Sequence, residues 1–512
     1  MREFPRWPIP AVLIAVSLGN LAYIRWACPY DLAPDEAHYW DWSRHLDWCY
    51  YSKGPLVALL IRGSCELFGS TPFAVRLPAV FCGTALLAGM AKLAHQISGD
   101  RRFDFVVICA ALTLPGLSAT SVLMTIDAPF LACWAWAAVC IQSALSGQAS
   151  RYWCLAGMFV AVGLLAKLTM LAFPVGVALL LIQQKQHRTW NALPFGLIGA
   201  LGFIPMVVWN LRQDGVGLRH TLGHAGIQEP WPGLLGPLGF LGGQFGILLG
   251  VWFIAWLRAI WTFRPVSHPG TALLWWLSVP LFAVCTVASL QTSGQPNWPA
   301  AAYISGFVLA MFWVRARWQS VSVRRAIFAV VALGIGSSLF LRWPGILRPT
   351  LARLTGAPTV DRPAPVRQLD PTARLLGWNT LASAVDSVRE RIRTATGEEP
   401  LIASMTWTVP GELGFYCQGH PTVYSFGLAL ADRFSQYDLW RPNPVLDAQD
   451  FHGRSFVYIG EELPKAAFDR MELVQVVTPM ADGVPVASWK IWVCRGFRGF
   501  GPLVERGHPI RY

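Results

Sequence analysis

Apolar runs long enough to cross a bilayer recur along the first two-thirds of this 512-residue chain. A helix needs about 17–25 predominantly apolar residues to span hydrocarbon. On that criterion about eleven spans are predicted. The first covers 8–26, and the next four cover 73–97, 105–119, 128–145 and 152–166. The remainder cover 168–182, 192–211, 234–257, 271–290, 300–314 and 326–341. Between the first two lies DLAPDEAHYWDWSRHLDWCYYSKGP, followed by LVALLIRGSCELFG, a segment too short to span that reads as a helix lying in the interface.

The texture changes after Leu341. Pro-rich joints, a charged helical stretch (SAVDSVRERIRTATGEE) and short runs rich in β-branched and aromatic residues follow. LIASM, TVYSF, SFVYIG, LVQVV and SWKIWVC each read as a strand. The expected fold is therefore a polytopic α-helical membrane protein with interfacial helices in its first outer loop (28–72) and a C-terminal mixed α/β soluble domain. The division is placed between 1–342 and 343–512, and about 170 residues suffice for an independent core.

Composition agrees. Hydrophobic residues make up 54% and charged residues 14%, against about one quarter charged in ordinary soluble domains. The net charge of +12 is spread over short loops rather than gathered in a stripe, which argues against nucleic acid as a partner. With Arg2 and Arg6 cytoplasmic, alternate loops carry Arg101, Arg102, Arg151, Lys185, Arg188, Arg258, Arg264, Arg315, Arg317, Arg324 and Arg325. The opposite loops hold the acidic first loop, Asp127, the 212–230 stretch and QTSGQPNWP. This predicts a multi-pass membrane protein with a cytoplasmic N-terminus and an extracytoplasmic C-terminal domain. Nine of the eleven cysteines fall in or beside the membrane region, while Cys417 and Cys494 fall in the outer domain. A bridge between those two is left open.

The chemistry concentrates on the outer side. Asp35 and Glu36 follow Pro34 at a predicted helix start, about 100° apart around the helix, so they suit different tasks. Asp35 is the candidate general base, Asp127 the next, and Glu36 orienting support. His38 and Tyr39 are candidate substrate contacts, with Gln295 and Asn297 in the late QPNWP turn. Lys53 and Lys167, with Arg76 as a further candidate, are cations placed to meet an anionic partner near the membrane surface. His220, His224 and Glu229 have a spacing compatible with metal, but chance produces it readily. No cofactor is required by the pattern, and a divalent metal is not indicated.

These motifs resemble those of the GT-C class of integral-membrane glycosyltransferases: DEAHYW, SKGPL, FGSTPFAVRLPAV, TIDAPF, GLLAKLTM and SGQPNWPAAAY. The likeness is to the branch holding bacterial aminoarabinose transferases to lipid A, related lipopolysaccharide sugar transferases and protein O-mannosyltransferases (glycosyltransferase families 39 and 83). ELGFYCQGHPTVYSF and SQYDLW also resemble segments of bacterial members. The chain reads Lys-Gly-Pro where relatives often have Lys-Pro-Pro, and His38 stands where the aminoarabinose branch carries an arginine. The resemblance implies a polyprenyl-phosphate-linked sugar donor, a lipid, glycan or protein acceptor, and inversion at the anomeric carbon. A transporter or flippase of lipid-linked glycans is the alternative. It would favour mid-membrane charges and two related halves, and neither is evident here.

Overall fold

The computed structural model describes residues 5, 7–224, 235–291, 294–359, 361–430, 432–461 and 465–501. Arg2, Arg6 and Glu229 lie outside the described residues. Internal contacts divide the chain into two units. One comprises 1–27, 47–60 and 76–339. The other comprises 28–46, 61–75 and 340–512. The first outer loop, which the sequence pattern grouped with the membrane region, is thus shared between the two.

The first unit is helical. Among the described residues six helices are long and apolar enough to cross a membrane: Pro8–Ala27, Pro72–Ser98, Asp127–Leu145, Trp190–Arg212, Pro269–Ala288 and Val321–Arg342. Shorter apolar helices cover Arg151–Leu164, Leu168–Gln183 and Ala300–Ala316. Nine of the eleven expected spans correspond to these elements. The other two are broken. The 105–119 run becomes Arg101–Ala111 and Pro115–Thr120, because Pro115 cannot continue the preceding helix. The 234–257 run bends by 107° between Ile247 and Val251, where Leu249 and Gly250 both adopt positive φ. Exposed large apolar side chains such as Ile14, Leu18, Leu197, Val284, Phe328 and Leu333 line the long helices, as expected of lipid-facing surface.

Small residues let these helices approach closely. A Cβ on Gly202 would lie 2.5 Å from the Ala161 carbonyl oxygen, and one on Gly176 would lie 2.6 Å from that of Trp276. Buried polar groups are satisfied across helices: Trp136 Nε1 donates to the Ala85 carbonyl at 2.9 Å and Trp256 Nε1 to Ser278 Oγ at 2.9 Å.

In the second unit, the strands are β1 (Leu401–Ser404), β2 (Val423–Ser425), β3 (Phe456–Ile459), β4 (Phe468–Val477), β5 (Met480–Ala481), β6 (Val484–Pro485) and β7 (Trp489–Phe497). Each of the five runs read as strands from sequence is one. The main sheet has order β2-β1-β3-β7-β4, with β1 parallel to β2 and β3, and β7 antiparallel to β3 and β4. The helices Trp378–Thr396 and Thr408–Tyr416 contribute Leu381, Val385, Val388 and Leu413 to the core on one face. Aromatic residues Phe426, Phe456, Tyr458, Phe468, Phe497 and Phe500 fill the other. Cys417 belongs to the helix-side core and Cys494 to the aromatic side, so the sheet separates the two thiols.

A buried ion pair ties this unit's linker to its sheet. Arg348, 3% exposed, donates through Nε to Asp370 Oδ2 at 2.9 Å and through Nη1 to Asp482 in the β5–β6 turn. Asp370 also accepts from the Thr372 amide and hydroxyl. Removing one partner strands a buried charge. Arg348→Met should destabilise the unit by about 3–5 kcal/mol, read as faster hydrogen exchange over 365–375 and a lower thermal midpoint. Adding Asp370→Asn should restore part of the loss.

Candidate functional site

In the helical unit, the Lys53-Gly54-Pro55 break is held by short contacts. The Tyr50 amide and the Cys49 thiol both donate to the Lys53 carbonyl, at 3.0 and 3.2 Å. Asp47 accepts from Trp209 Nε1 at 2.8 Å, tying the loop to the Ile204–Arg212 helix. The Leu56 amide donates to the Leu165 carbonyl at 3.0 Å. A Cβ on Gly54 would lie 2.1 Å from that same oxygen, so the glycine is required for backbone to pass backbone. The turn carrying Lys53 is thereby pressed against the turn carrying Lys167.

Lys167 lies in extended conformation where the Arg151–Leu164 helix ends and a short 3-10 turn begins. Its Nζ donates to Asp127 Oδ1 at 2.7 Å, with both side chains 11% exposed. Asn297 Nδ2 donates to Asp127 Oδ2 at 3.0 Å. Three residues read separately from sequence thus form one cluster, with the Phe130 ring beneath the ammonium at 5.6 Å. Both carboxylate oxygens of Asp127 are engaged.

Lys53 and Lys167 line one cavity of about 390 Å³, together with Tyr51, Asn210, His220 and Trp298. Its volume is in the range of small-ligand sites. His220 is 4% exposed and packs on Tyr51 at a centroid separation of 4.4 Å, an aromatic wall that the metal-spacing reading did not anticipate. No group of three or more metal-ligating side chains gathers among the described residues. The side chain of His224 lies outside them, as does Glu229. Gln295 is exposed in the turn before Asn297. Arg76 is 2% exposed within the Pro72–Ser98 helix and does not line this cavity.

The acidic pair lies in the second unit, on the Pro34–Arg44 helix. Its approach is pinned at several points. Asp31 accepts from the Trp378 amide at 2.8 Å and Asn379 Nδ2 at 2.6 Å, and the Leu32 amide donates to the Tyr416 hydroxyl at 2.7 Å. Glu36 is fully buried, and its Oε2 accepts from the Ala33 amide at 2.9 Å, closing the helix start. Asp35 remains exposed. Gly411 lets the Thr408–Tyr416 helix lie directly on the Asp35 helix, since a Cβ there would come within 2.8 Å of the Ala37 carbonyl carbon and His38 nitrogen.

His38 and Tyr39 are buried. The His38 ring packs among Trp42, Tyr437 and Trp407 at 4.8, 4.9 and 5.4 Å. Burial, reinforced by Arg433, lowers its pKa to about 3, so the ring is neutral. Between the ordinary value near 6.5 and about 3 the unfolded chain takes up a proton that the folded one refuses. The His38 contribution to stability is therefore present above that window and lost as pH falls through it. Asp438, pushed up to about 6 by burial, acts in the opposite sense. The expected outcome is a difference: His38→Phe should lose less stability than wild type between pH 6.5 and 4, measured by unfolding of the detergent-solubilised protein.

Residues 52–210 match the family described as dolichyl-phosphate-mannose-protein mannosyltransferase. Lipid A galacturonosyltransferase RgtD from Rhizobium johnstonii is 30% identical over 294 residues, covering 56% of this chain and 62% of that protein. The match thus spans about three-fifths of the relative's length. Crystal structures of ArnT from Cupriavidus metallidurans are similar in fold. The apo form has a TM-score of 0.61 at 15% identity, and the form bound to undecaprenyl phosphate 0.63 at 17%. Each comparison covers 94% of this chain and 97% of the other. The chain thus matches a mannosyltransferase family over residues 52–210 and shares the fold of ArnT over most of its length.

Proposed function

We propose that this protein transfers a sugar from a polyprenyl-phosphate-linked donor to a lipid or glycan acceptor on the non-cytoplasmic face, with inversion at the anomeric carbon. The observation that carries the reading is the cavity with two lysines in its wall, one of them held by a buried carboxylate. Charge in such a setting is costly unless it meets charge. A lipid phosphate leaving with its developing negative charge meets that requirement. The fold shared with a protein crystallised with undecaprenyl phosphate supports a polyprenyl carrier, and the lipid A galacturonosyltransferase relative supports a glycolipid acceptor. The positive charge of alternate loops supports the orientation.

The roles follow from environment. Lys53 and Lys167 stabilise the departing phosphate. Asp127, with one oxygen on Lys167 and the other on Asn297, holds the cation in place, and its engagement leaves it poorly placed to take a proton. Asp35, exposed at a pinned helix start, is the base that accepts the proton of the acceptor hydroxyl as that oxygen attacks. The bond from the anomeric carbon to the phosphate oxygen breaks as the new glycosidic bond forms on the opposite face.

The test uses purified full-length protein, a panel of polyprenyl-phosphate sugars and a lipid A-type acceptor, with transfer followed by mass spectrometry. Asp35→Asn should lower turnover by on the order of a hundredfold or more. Lys53→Gln and Lys167→Gln should each lower it by on the order of 10²-fold. Adding Asp127→Asn to Lys167→Gln should cost little more than Lys167→Gln alone, because the anchor then has nothing to hold. Full activity in Asp35→Asn would sink the assignment of the base.

A further inference from the structure

The second unit has a cavity of its own. It measures about 320 Å³ and opens where the carboxyl ends of β1 and β3 stop side by side. Met405 and Thr406 follow β1 into its wall, and Gly460 and Glu461 follow β3. The chain leaves β1 through the Thr408–Tyr416 helix to β2 on one side, then returns past β1 to β3 on the other. The strand order therefore reverses between β1 and β3, and in open α/β sheets the crevice outside the carboxyl ends at such a reversal is where ligands bind.

The lining has a definite chemistry. Arg367, Arg374 and Lys490 face it with Glu461 as the one acidic group among the described lining residues, and Glu461 is already paired with Lys490. Among the described residues, two guanidinium groups therefore share the cavity with no carboxylate of their own in its wall. Burial and the neighbouring Arg374 both push Arg367 below its ordinary pKa, the sign expected of like charges held together. Arg367 is positioned by its Nε, which donates to the Val486 carbonyl, and lies over the Trp489 ring at 6.0 Å. Trp489 packs on Trp378 at 4.8 Å, so the wall also carries aromatic surface. Thr406, Thr408 and Ser488 add hydroxyls. Pro34, the residue before Asp35, completes the wall.

We propose that this cavity binds an anionic sugar, a pyranose bearing a phosphate or carboxylate, and that the sugar is the headgroup of the acceptor. Arginine suits both anions because its planar fork matches two oxygens at once. The aromatic surface suits the apolar face of a sugar ring, and the hydroxyls suit its ring oxygens. The acceptor assignment rests on the transferase reading above. The presence of an anion-selective sugar site does not, and the two are measured separately.

Binding is read by saturation-transfer NMR on the full-length protein in detergent, with glucose 1-phosphate, galacturonate and glucose as probes and inorganic phosphate as a competitor of the glucose 1-phosphate signal. Wild type should bind the two anionic sugars at least fivefold more tightly than glucose, and inorganic phosphate more weakly than glucose 1-phosphate. The stronger of the two anionic sugars identifies the charge. Arg374→Gln, at an exposed position, should weaken that binding at least fivefold, and Lys490→Gln should have a smaller effect. In the transfer assay, Arg374→Gln should raise the acceptor KM at least fivefold with the donor KM changed less than twofold. Equal binding of glucose and the anionic sugars, or undiminished binding by Arg374→Gln, overturns the site. Loss of sugar binding with an unaltered acceptor KM overturns the acceptor role alone.

Discussion

An ammonium group at the end of apolar helices has to be compensated, and much of the helical unit's site is organised by how Lys167 is compensated. Its partner, Asp127, comes from the start of another helix, and Asn297 from the turn before a third. With both side chains 11% exposed, the pair is screened weakly and tolerates little displacement. The breaks in the helices are placed accordingly. The chain abandons α-helix at Lys167 and at the 295–299 turn, the two places from which Lys167 and Asn297 reach Asp127. The Lys53 turn is then brought against the Lys167 turn by the absence of a side chain at Gly54.

The second unit solves a different problem, that of holding an exposed carboxylate still. A helix start in solvent frays unless its amides are occupied. Here Glu36 occupies the Ala33 amide, Asp31 grips the start of the Trp378–Thr396 helix, and Gly411 allows a neighbouring helix to lie on the backbone at Ala37. The buried rings of His38, Tyr39 and Trp42 supply the apolar weight behind this arrangement. The His38 ring on the same helix is packed among aromatics and is neutral.

Several readings from pattern alone survive contact with the structure because they depend on local physics. The five strand runs alternate or concentrate β-branched residues and form β1–β4 and β7. The acidic pair lies at a Pro-initiated helix, and the 100° step between neighbouring residues leaves Asp35 exposed and Glu36 buried. Where pattern misled, a backbone event intervened. The 105–119 run is apolar apart from Thr113 and Ser118 and is broken before Pro115, and the 234–257 run is apolar through Leu249 and Gly250, whose positive φ turns the chain by 107°. Hydropathy averages over such residues and so reports two continuous spans. The Arg367–Arg374–Lys490 cavity was invisible for another reason: its basic residues are scattered along more than a hundred positions and resemble ordinary surface charge.

What the sequence determined by itself was the membrane-type helical region, the α/β region after it, and the small set of ionisable residues that stand out beside apolar segments. All of these rest on hydropathy, periodicity and the cost of isolated charge, which are properties of neighbours in the chain. What only the tertiary structure decided was partnership: that Lys167 belongs with Asp127 and Asn297, that His38 is packed and neutral, that Gly54 is a point of contact, and that Cys417 and Cys494 face opposite sides of a sheet. Partnership depends on distances of a few ångströms between residues far apart in the chain, and those distances are set by how helices and strands pack rather than by the order of residues within any one of them.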